Sequence, residues 1–196
     1  MSVTGAVLRF DAVVMAQLAV EQPRLIRREE YETMVSAGLF HDERVELLYG
    51  VIVRMGPKGP PHESAIEHLT ELLVSGLAGR ATVRIQSSFA ASSGSEPEPD
   101  VAVVPRGDYS ARHPDVAHLL IEVADTSLPT DRGTKATLYA ECGVPEYWVV
   151  NVRDSLVEVF TEIVNGAYTR VVPYRRGDSV APLAFPDLLI AIADVI

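Results

Sequence analysis

Two acidic residues stand at or inside apolar stretches of this chain of 196 residues. Asp100 directly precedes the apolar residues 101–104, and Glu122 interrupts the apolar residues 119–123. A carboxylate in a segment suited to burial is costly unless a partner compensates its charge. Lys135 follows Glu122 at a separation of 135 − 122 = 13 residues. Two such acids on neighbouring strands, followed by a lysine, predict a divalent-metal site suited to phosphate-ester chemistry.

The residue types in this pattern match what phosphodiester hydrolysis requires. Mg²⁺ (or Mn²⁺ in its place) activates water and stabilises charge on phosphate oxygens when it is held by carboxylates, a carbonyl and water. Asp100 and Glu122 are the candidate carboxylate ligands, and the backbone carbonyl of Val123 is a third. Lys135 is expected to bind water or phosphate as a point charge, or to deprotonate the water. Glu46, the acid of a short apolar strand, is a further candidate ligand or ligand-positioning group.

Each of these residues also has a purely structural interpretation. Asp100 would then be a solvated residue at a strand entry, and Glu46 would lie on the exposed face of an alternating strand. Glu122 would form a buried ion pair with Lys135 without any metal, which is the strongest competing hypothesis. His62, which follows Pro61 at a helix start, would be a solvated first-turn residue.

Composition limits the class of protein. A hydrophobic content of 47% in 196 residues is enough for one folded domain, which we place at residues 25–196 after an N-terminal extension of residues 1–24. Seventeen basic against 27 acidic residues give a net charge of -10, so bulk charge does not hold this protein on nucleic acid. Metal ions and local basic patches could still recruit DNA. Cys142 is the single cysteine, which favours a reducing, cytoplasmic location.

Periodicity and turn signals predict an α/β (α+β) fold with a mixed central β-sheet flanked by helices. Helices are predicted at residues 28–38, 62–79 and 130–142, the last capped by Thr130 or Asp131. A loop of glycine and proline with one lysine occupies residues 56–61. Strands are predicted at residues 44–49, 51–55, 82–90, 100–104, 118–124, 146–152, 156–163 and 168–174.

An ordered set of motifs resembles the Uma-two family (Uma2) of putative restriction endonucleases. The motifs are Glu46-Leu-Leu-Tyr-Gly, His62, Pro99-Asp100, Ile121-Glu122-Val123, Lys135, Tyr139 and Gly143-Val-Pro-Glu-Tyr-Trp148. The resemblance implies a restriction-endonuclease-like core of the PD-(D/E)XK nuclease-like superfamily, divalent-metal dependence and hydrolysis of DNA phosphodiester bonds. Asp100 and Glu122 would match the superfamily's metal-binding acids, and Lys135 its lysine.

The chain departs from the superfamily's simplest motif at one position. The lysine that usually lies two residues after the second acid is replaced by Ala124, and the resemblance places it on the following helix as Lys135. Asp125 and Thr126 stand where family members often have serine and proline. This missing lysine and the acidic charge motivate an alternative hypothesis, a catalytically inactive nuclease-fold module for binding or dimerisation.

Further expectations concern additional site residues, the substrate and the oligomeric state. His62 is a candidate phosphate or water contact because the family match includes it. Gln86, in the middle of a predicted strand, could point into the cleft, and Tyr139 lies one helical turn after Lys135. We expect DNA to be the substrate, with a nucleotide phosphoesterase as a weaker alternative. A homodimer is expected because two active sites most simply cut two strands.

Overall fold

A six-stranded mixed sheet forms the centre of the protein, in the strand order β3-β4-β5-β6-β7-β8. The computed structural model describes residues 23–196, so the N-terminal extension expected over residues 1–24 lies almost entirely outside the described residues. All neighbouring strands are antiparallel except β5 and β6, which are parallel. Parallel neighbours need a crossover connection, and here the helical residues 128–141 provide it.

The elements follow one another as the alternating patterns predict. The helices are α1 (Arg28–Ser36), α2 (Pro60–Leu77), α3 (Leu128–Thr130), a π-helix (Asp131–Lys135) and α4 (Ala136–Glu141). The strands of the central sheet are β3 (Ala81–Ile85), β4 (Val101–Pro105), β5 (Leu119–Ala124), β6 (Tyr147–Asn151), β7 (Leu156–Val164) and β8 (Ala167–Arg175). Two separate hairpins pair β1 (Val45–Leu48) with β2 (Val51–Arg54), and β9 (Ser179–Val180) with β10 (Ile190–Ala191). A 3₁₀ turn (Ile192–Asp194) follows β10.

The central strands β4, β5 and β6 are buried on both faces of the sheet, as strands with continuous apolar runs require. Alternate residues of β4 and β5 contact α2 on one face and the crossover helix on the other. The first core contains Leu69, Leu73 and Leu77 of α2 with Val101, Val103, Leu119 and Ile121. The second contains Ala102, Leu120 and Ala124 with Leu138, Tyr139 and Tyr147. The predicted mixed sheet flanked by helices is confirmed.

Two boundary predictions are wrong. The strand predicted at residues 82–90 ends at Ile85, because Gln86 adopts a φ of 47°, which breaks the extended backbone. The crossover helix begins at Leu128 rather than at residue 130, and its N-cap is Ser127 instead of Thr130 or Asp131. Pro129 occupies a first-turn position, where proline is tolerated because the first amides of a helix have no intrahelical partner.

None of the helices formed by residues 23–196 is long and apolar enough to cross a lipid bilayer.

Candidate active site

The register of β4 and β5 places the two candidate acids at the same end of the sheet. Val101 pairs with Ile121 in this antiparallel ladder, so Asp100 and Glu122 occupy the next opposed position. Glu122 shares the face of Leu120 and Ala124 because side chains alternate along a strand. Both acids line one cleft beneath the loop that connects β2 to α2.

Asp100 is buried and accepts hydrogen bonds at both carboxylate oxygens. Its Oδ1 lies 2.8 Å from Lys58 Nζ, and its Oδ2 lies 3.1 Å from His62 Nε2 and 2.9 Å from the backbone N of Val123. Burial alone would raise the pKa of Asp100, but the neighbouring His62 and Lys58 outweigh it and lower the pKa to about 2. Asp100 is therefore a carboxylate at any working pH. Its interpretation as a solvated strand-entry residue is wrong.

Glu122 is held from the opposite side by the crossover helix. Lys135 Nζ donates a hydrogen bond of 2.9 Å to Glu122 Oε1, and the Tyr139 hydroxyl donates one of 2.7 Å to the same oxygen. Lys135 Nζ also lies 3.1 Å from Glu46 Oε2. Glu46 is 5% exposed, so its placement on an exposed strand face is wrong. One ammonium thus bridges two buried carboxylates.

The crossover helix carries three polar side chains at a spacing of four residues, which places them on one face, and its central turn is a π-helix. This turn contains Asp131 and Lys135, and Tyr139 follows one turn later in α4. Asp131 is buried and lines the cleft, and its Oδ2 has no hydrogen-bond partner among the described residues. The expectation that Asp131 is only a helix cap is wrong, because it lies four residues into the helical segment that starts at Leu128. π-turns inside α-helices often occur at functional sites.

The protonation behaviour of the cluster follows from its burial and its excess of acids. Burial raises the pKa of Glu122 well above its usual range; the Lys135 ammonium opposes this, while Asp131, Asp100 and Glu46 add to it. Burial likewise raises the pKa of Asp131. For Lys135 burial alone would lower the pKa, but Glu122 and Glu46 outweigh it and raise the pKa. The direction of this shift favours the ammonium form of Lys135 in the metal-free cluster.

The residues present fit a divalent cation on charge and on donor type. Four buried acids (Asp100, Glu122, Glu46 and Asp131) face two lysines (Lys58 and Lys135), which leaves an excess of negative charge when all are ionised. Their oxygens are the ligands that Mg²⁺ and Mn²⁺ prefer. The unpartnered Asp131 Oδ2 is an orphaned buried acceptor that such a cation would satisfy.

The acids have not converged on a common point. Within residues 23–196, no group of three or more His, Cys, Asp or Glu side chains is arranged as a ready-made metal site. Lys58 and Lys135 contact Asp100, Glu122 and Glu46 in this arrangement.

Four further residues were predicted to belong to the site, and the structure places three of them against the carboxylate of Asp100 or Glu122. His62 is buried against Asp100, so its interpretation as a solvated residue is wrong. Val123 contacts Asp100 through its backbone N–H, and a ligand role for its carbonyl stays a prediction. Tyr139 belongs to the core and also bonds to Glu122. Gln86 does not line the cleft; its backbone N–H donates to the carbonyl of Asp100.

Sequence reasoning missed Lys58 and Asp131 as members of this cluster. Lys58 carried a usable signal: the chain contains only two lysines, Lys58 and Lys135, and both line the same cleft. All other side chains with a permanent positive charge are arginines. Lys58 also interrupts a loop otherwise made of glycine and proline. Asp131 carried no comparable signal, because the sequence pattern placed it at the start of the helix instead of inside it.

Two features define the class of this protein. One is a mixed central sheet flanked by helices, and the other is a set of buried acids and lysines at one end of two central strands. The sequence profile of the Uma2 family, described as "putative restriction endonuclease", matches residues 28–193. The chain belongs to this family, as its motifs predicted. A solved structure, a putative nuclease of DUF820 from Anabaena variabilis, aligns with a TM-score of 0.63 at 16% identity, covering 79% of this chain and 90% of that chain. At that identity it is similar in fold. No curated protein matches this chain significantly.

Proposed function

We propose that this protein is a divalent-metal-dependent endonuclease of the PD-(D/E)XK type that hydrolyses DNA phosphodiester bonds. One observation carries the proposal: Asp100 and Glu122 lie buried at the same end of two paired strands, with Lys135 bonded to Glu122 at 2.9 Å. Membership of a family of putative restriction endonucleases supports the same reaction. Two carboxylates and a lysine in one cleft are the groups that such hydrolysis needs.

The chain's own residues divide into ligands, orienting groups and charges. Asp100 and Glu122 would hold Mg²⁺ or Mn²⁺, with Asp131 and the carbonyl of Val123 as further oxygen donors. When bound, the metal would lower the pKa of a water and stabilise charge on the phosphate. His62 and the N–H of Val123 fix the orientation of Asp100 through its Oδ2. Tyr139 fixes Glu122 in the same manner.

Lys135 acts as a cation in this proposal. The acids around Lys135 raise its pKa, which favours an ammonium that positions water or binds a phosphate oxygen over the alternative role of deprotonating the water. Glu46 holds Lys135 from the other side and thereby aims it at the cleft. Position 124, where the simplest motif has its lysine, is occupied by Ala124, which is buried in the second core. Lys135 reaches Glu122 from the crossover helix instead.

The decisive experiment compares wild type with Asp100→Asn on plasmid and short duplex DNA. We expect cleavage by wild type with Mg²⁺ or Mn²⁺ and none with chelator, and a loss of about 100-fold or more in Asp100→Asn. Asp42→Asn, at an exposed position, controls for the charge change. Circular dichroism must show that both variants remain folded. Retained cleavage by a folded Asp100→Asn would contradict the proposal.

A second candidate function rests on the ion pairs themselves. Lys58 and Lys135 form ion pairs with Asp100, Glu122 and Glu46, as expected of a nuclease-fold binding or dimerisation module that holds no metal. Isothermal titration separates the two functions. Saturable binding of Mg²⁺ or Mn²⁺ that is lost in Glu122→Gln supports the nuclease, whereas binding of neither metal, with or without a duplex present, favours the module.

A further inference from the structure

Lys58 lies on the loop that connects β2 to α2 and points inward. The residues around it are Gly56, Pro57 and Gly59, and α2 begins at Pro60. The Lys58 side chain is 13% exposed, which is unusual for a lysine on a loop. Its Nζ lies 2.8 Å from Asp100 Oδ1. A cation therefore occupies one oxygen of the best-placed candidate metal ligand.

The three donors that hold Asp100 differ in how easily they could leave it. The N–H of Val123 belongs to a central strand, and His62 belongs to the first turn of α2. Both donate to Oδ2, so neither blocks Oδ1. Lys58 alone donates to Oδ1, from a flexible four-carbon stem on a short loop. Access to Oδ1 thus depends on one mobile side chain.

We propose that Lys58 is a second functional lysine of this site and has two alternative positions. In the metal-free protein it bonds to Asp100 and takes the place of the divalent cation. When Asp100 binds that cation, Lys58 moves into the cleft and contacts the phosphate of the substrate. This inference rests on the proposed metal-dependent function and adds a residue that the family motifs do not include.

Electrostatics supports the exchange. An ammonium and a divalent cation on the same carboxylate oxygen repel each other, so the two positions exclude one another. In the metal-free state Lys58 offsets part of the charge of four buried acids, which limits the cost of burying them. Released from Asp100, its ammonium remains on the loop that lines the cleft. A phosphodiester is the anion that the proposed reaction brings there.

The exchange predicts a specific pattern of chemical labelling. Because the chain has only two lysines, pulse acetylation followed by peptide mass spectrometry reports on each of them separately. We expect Lys58 to label slowly in the metal-free protein, about tenfold faster with saturating Mg²⁺, and slowly again when a short duplex is added in excess. Lys135, bonded to Glu122 and Glu46, serves as the internal reference.

A variant tests the same exchange through binding. Lys58→Met keeps the aliphatic stem and removes the ammonium, so it removes the competitor at Asp100. We expect its affinity for Mg²⁺ to rise by about tenfold in calorimetric titration, since a competent state hidden by a competing contact lowers the apparent affinity. Its affinity for the duplex in the presence of Mg²⁺ should fall. Arg54→Gln removes one positive charge from the same cleft without a contact to Asp100 and should change neither affinity in this pattern.

The outcomes separate this inference from the function on which it rests. If wild type binds Mg²⁺ but the labelling of Lys58 does not change, Lys58 does not move and the inference is wrong while the nuclease proposal stands. If the affinity of Lys58→Met for Mg²⁺ equals that of wild type or of Arg54→Gln, the inference is likewise wrong. If neither wild type nor Lys58→Met binds any metal, with or without duplex, both proposals fail. Metal binding that appears only in Lys58→Met would support the inference directly.

Discussion

Lys135 is central to both interpretations of the buried cluster, the metal site and the structural ion pair. It bonds to Glu122 and Glu46, and its charge also acts on Asp131. A buried ion pair adds little stability compared with an apolar substitute, but removal of one partner leaves uncompensated charge and is costly. The same side chain can therefore be essential for folding and for catalysis, and stability measurements with and without metal distinguish these roles.

We predict that Lys135→Met lowers the free energy of unfolding by about 3 to 5 kcal/mol, the usual cost of breaking a buried ion pair. Saturating Mg²⁺ should restore part of this loss, because a divalent cation would replace the missing charge. Urea denaturation followed by circular dichroism measures both effects. Arg132→Met removes the ion pair between Arg132, in the same π-helix as Lys135, and Glu158 of β7. The Arg132 side chain is 41% exposed, so this change should cost no more than about 1 kcal/mol. A loss at Lys135 that Mg²⁺ leaves unchanged would indicate a purely structural pair.

Segments that connect the strands of the sheet supply many of its buried polar residues. The π-helix brings Asp131 and Lys135 to the cleft, and the loop between β2 and α2 brings Lys58. The connection from β3 to β4 binds back to β1 through two backbone hydrogen bonds between Glu96 and Leu47, of 2.8 Å and 3.3 Å. This connection leaves Glu96 4% exposed, with its Oε2 unpartnered among the described residues.

Glu96 should make stability depend on pH. Burial raises its pKa to about 7, with Glu32 adding to the effect, so the folded protein binds this proton more tightly than the unfolded chain. Below the unfolded pKa near 4.5, Glu96 does not reduce the free energy of unfolding. The reduction accumulates as the pH rises to about 7 and is constant above that pH. We predict that Glu96→Gln stabilises the protein by about 1 to 2 kcal/mol at pH 8 and has little effect at pH 4.

The measurement for Glu96 is a series of urea midpoints between pH 4 and pH 8 for wild type, Glu96→Gln and Glu67→Gln. Glu67 is exposed on α2 and controls for the loss of one negative charge. The difference between wild type and Glu96→Gln should grow only between pH 4.5 and pH 7. A difference that is constant across the series would show that the pKa of Glu96 is the same in the folded and unfolded states, which would contradict the prediction.

Charge decides how the whole molecule could meet DNA. A net charge of -10 opposes a broad electrostatic grip on a duplex, so binding would depend on the cleft and on bound divalent cations. One cleft of this kind contacts one scissile phosphate. Cleavage of both strands is most simply achieved by a second copy of the chain related by two-fold symmetry.

We predict that the protein is a homodimer at working concentration and that it converts supercoiled plasmid to linear DNA without prolonged accumulation of nicked circles. Sedimentation equilibrium measures the mass, to be compared with 21.3 kDa for one chain. Plasmid cleavage at several protein concentrations measures the order of cutting. A monomer that only nicks would contradict the dimer and leave the hydrolytic chemistry untouched.

The amino-acid sequence by itself was enough to predict the class of fold and to single out two candidate acids, one directly before β4 and one within β5. Alternating and helical patterns are local properties, so they predict strands and helices before any tertiary contact is known. Asp100 and Glu122 stood out because a charge in an apolar run needs compensation wherever the run is buried. The order of the motifs identified the family, because motif order is also a property of the sequence alone.

Only the tertiary structure decided which partners those acids have. Lys58 meets Asp100 across 42 residues, and Lys135 meets Glu46 as well as Glu122. The Lys135–Glu122 pair was predicted from the sequence as an alternative to a metal site, whereas the other two contacts were not. The crossover helix begins at Leu128, so Asp131 lies inside it and is buried in the cleft instead of serving as a cap, and the turn at Gln86 removed a predicted site residue. Compensation of buried charge can be foreseen from sequence, but the identity of the compensating group depends on packing over the whole sheet.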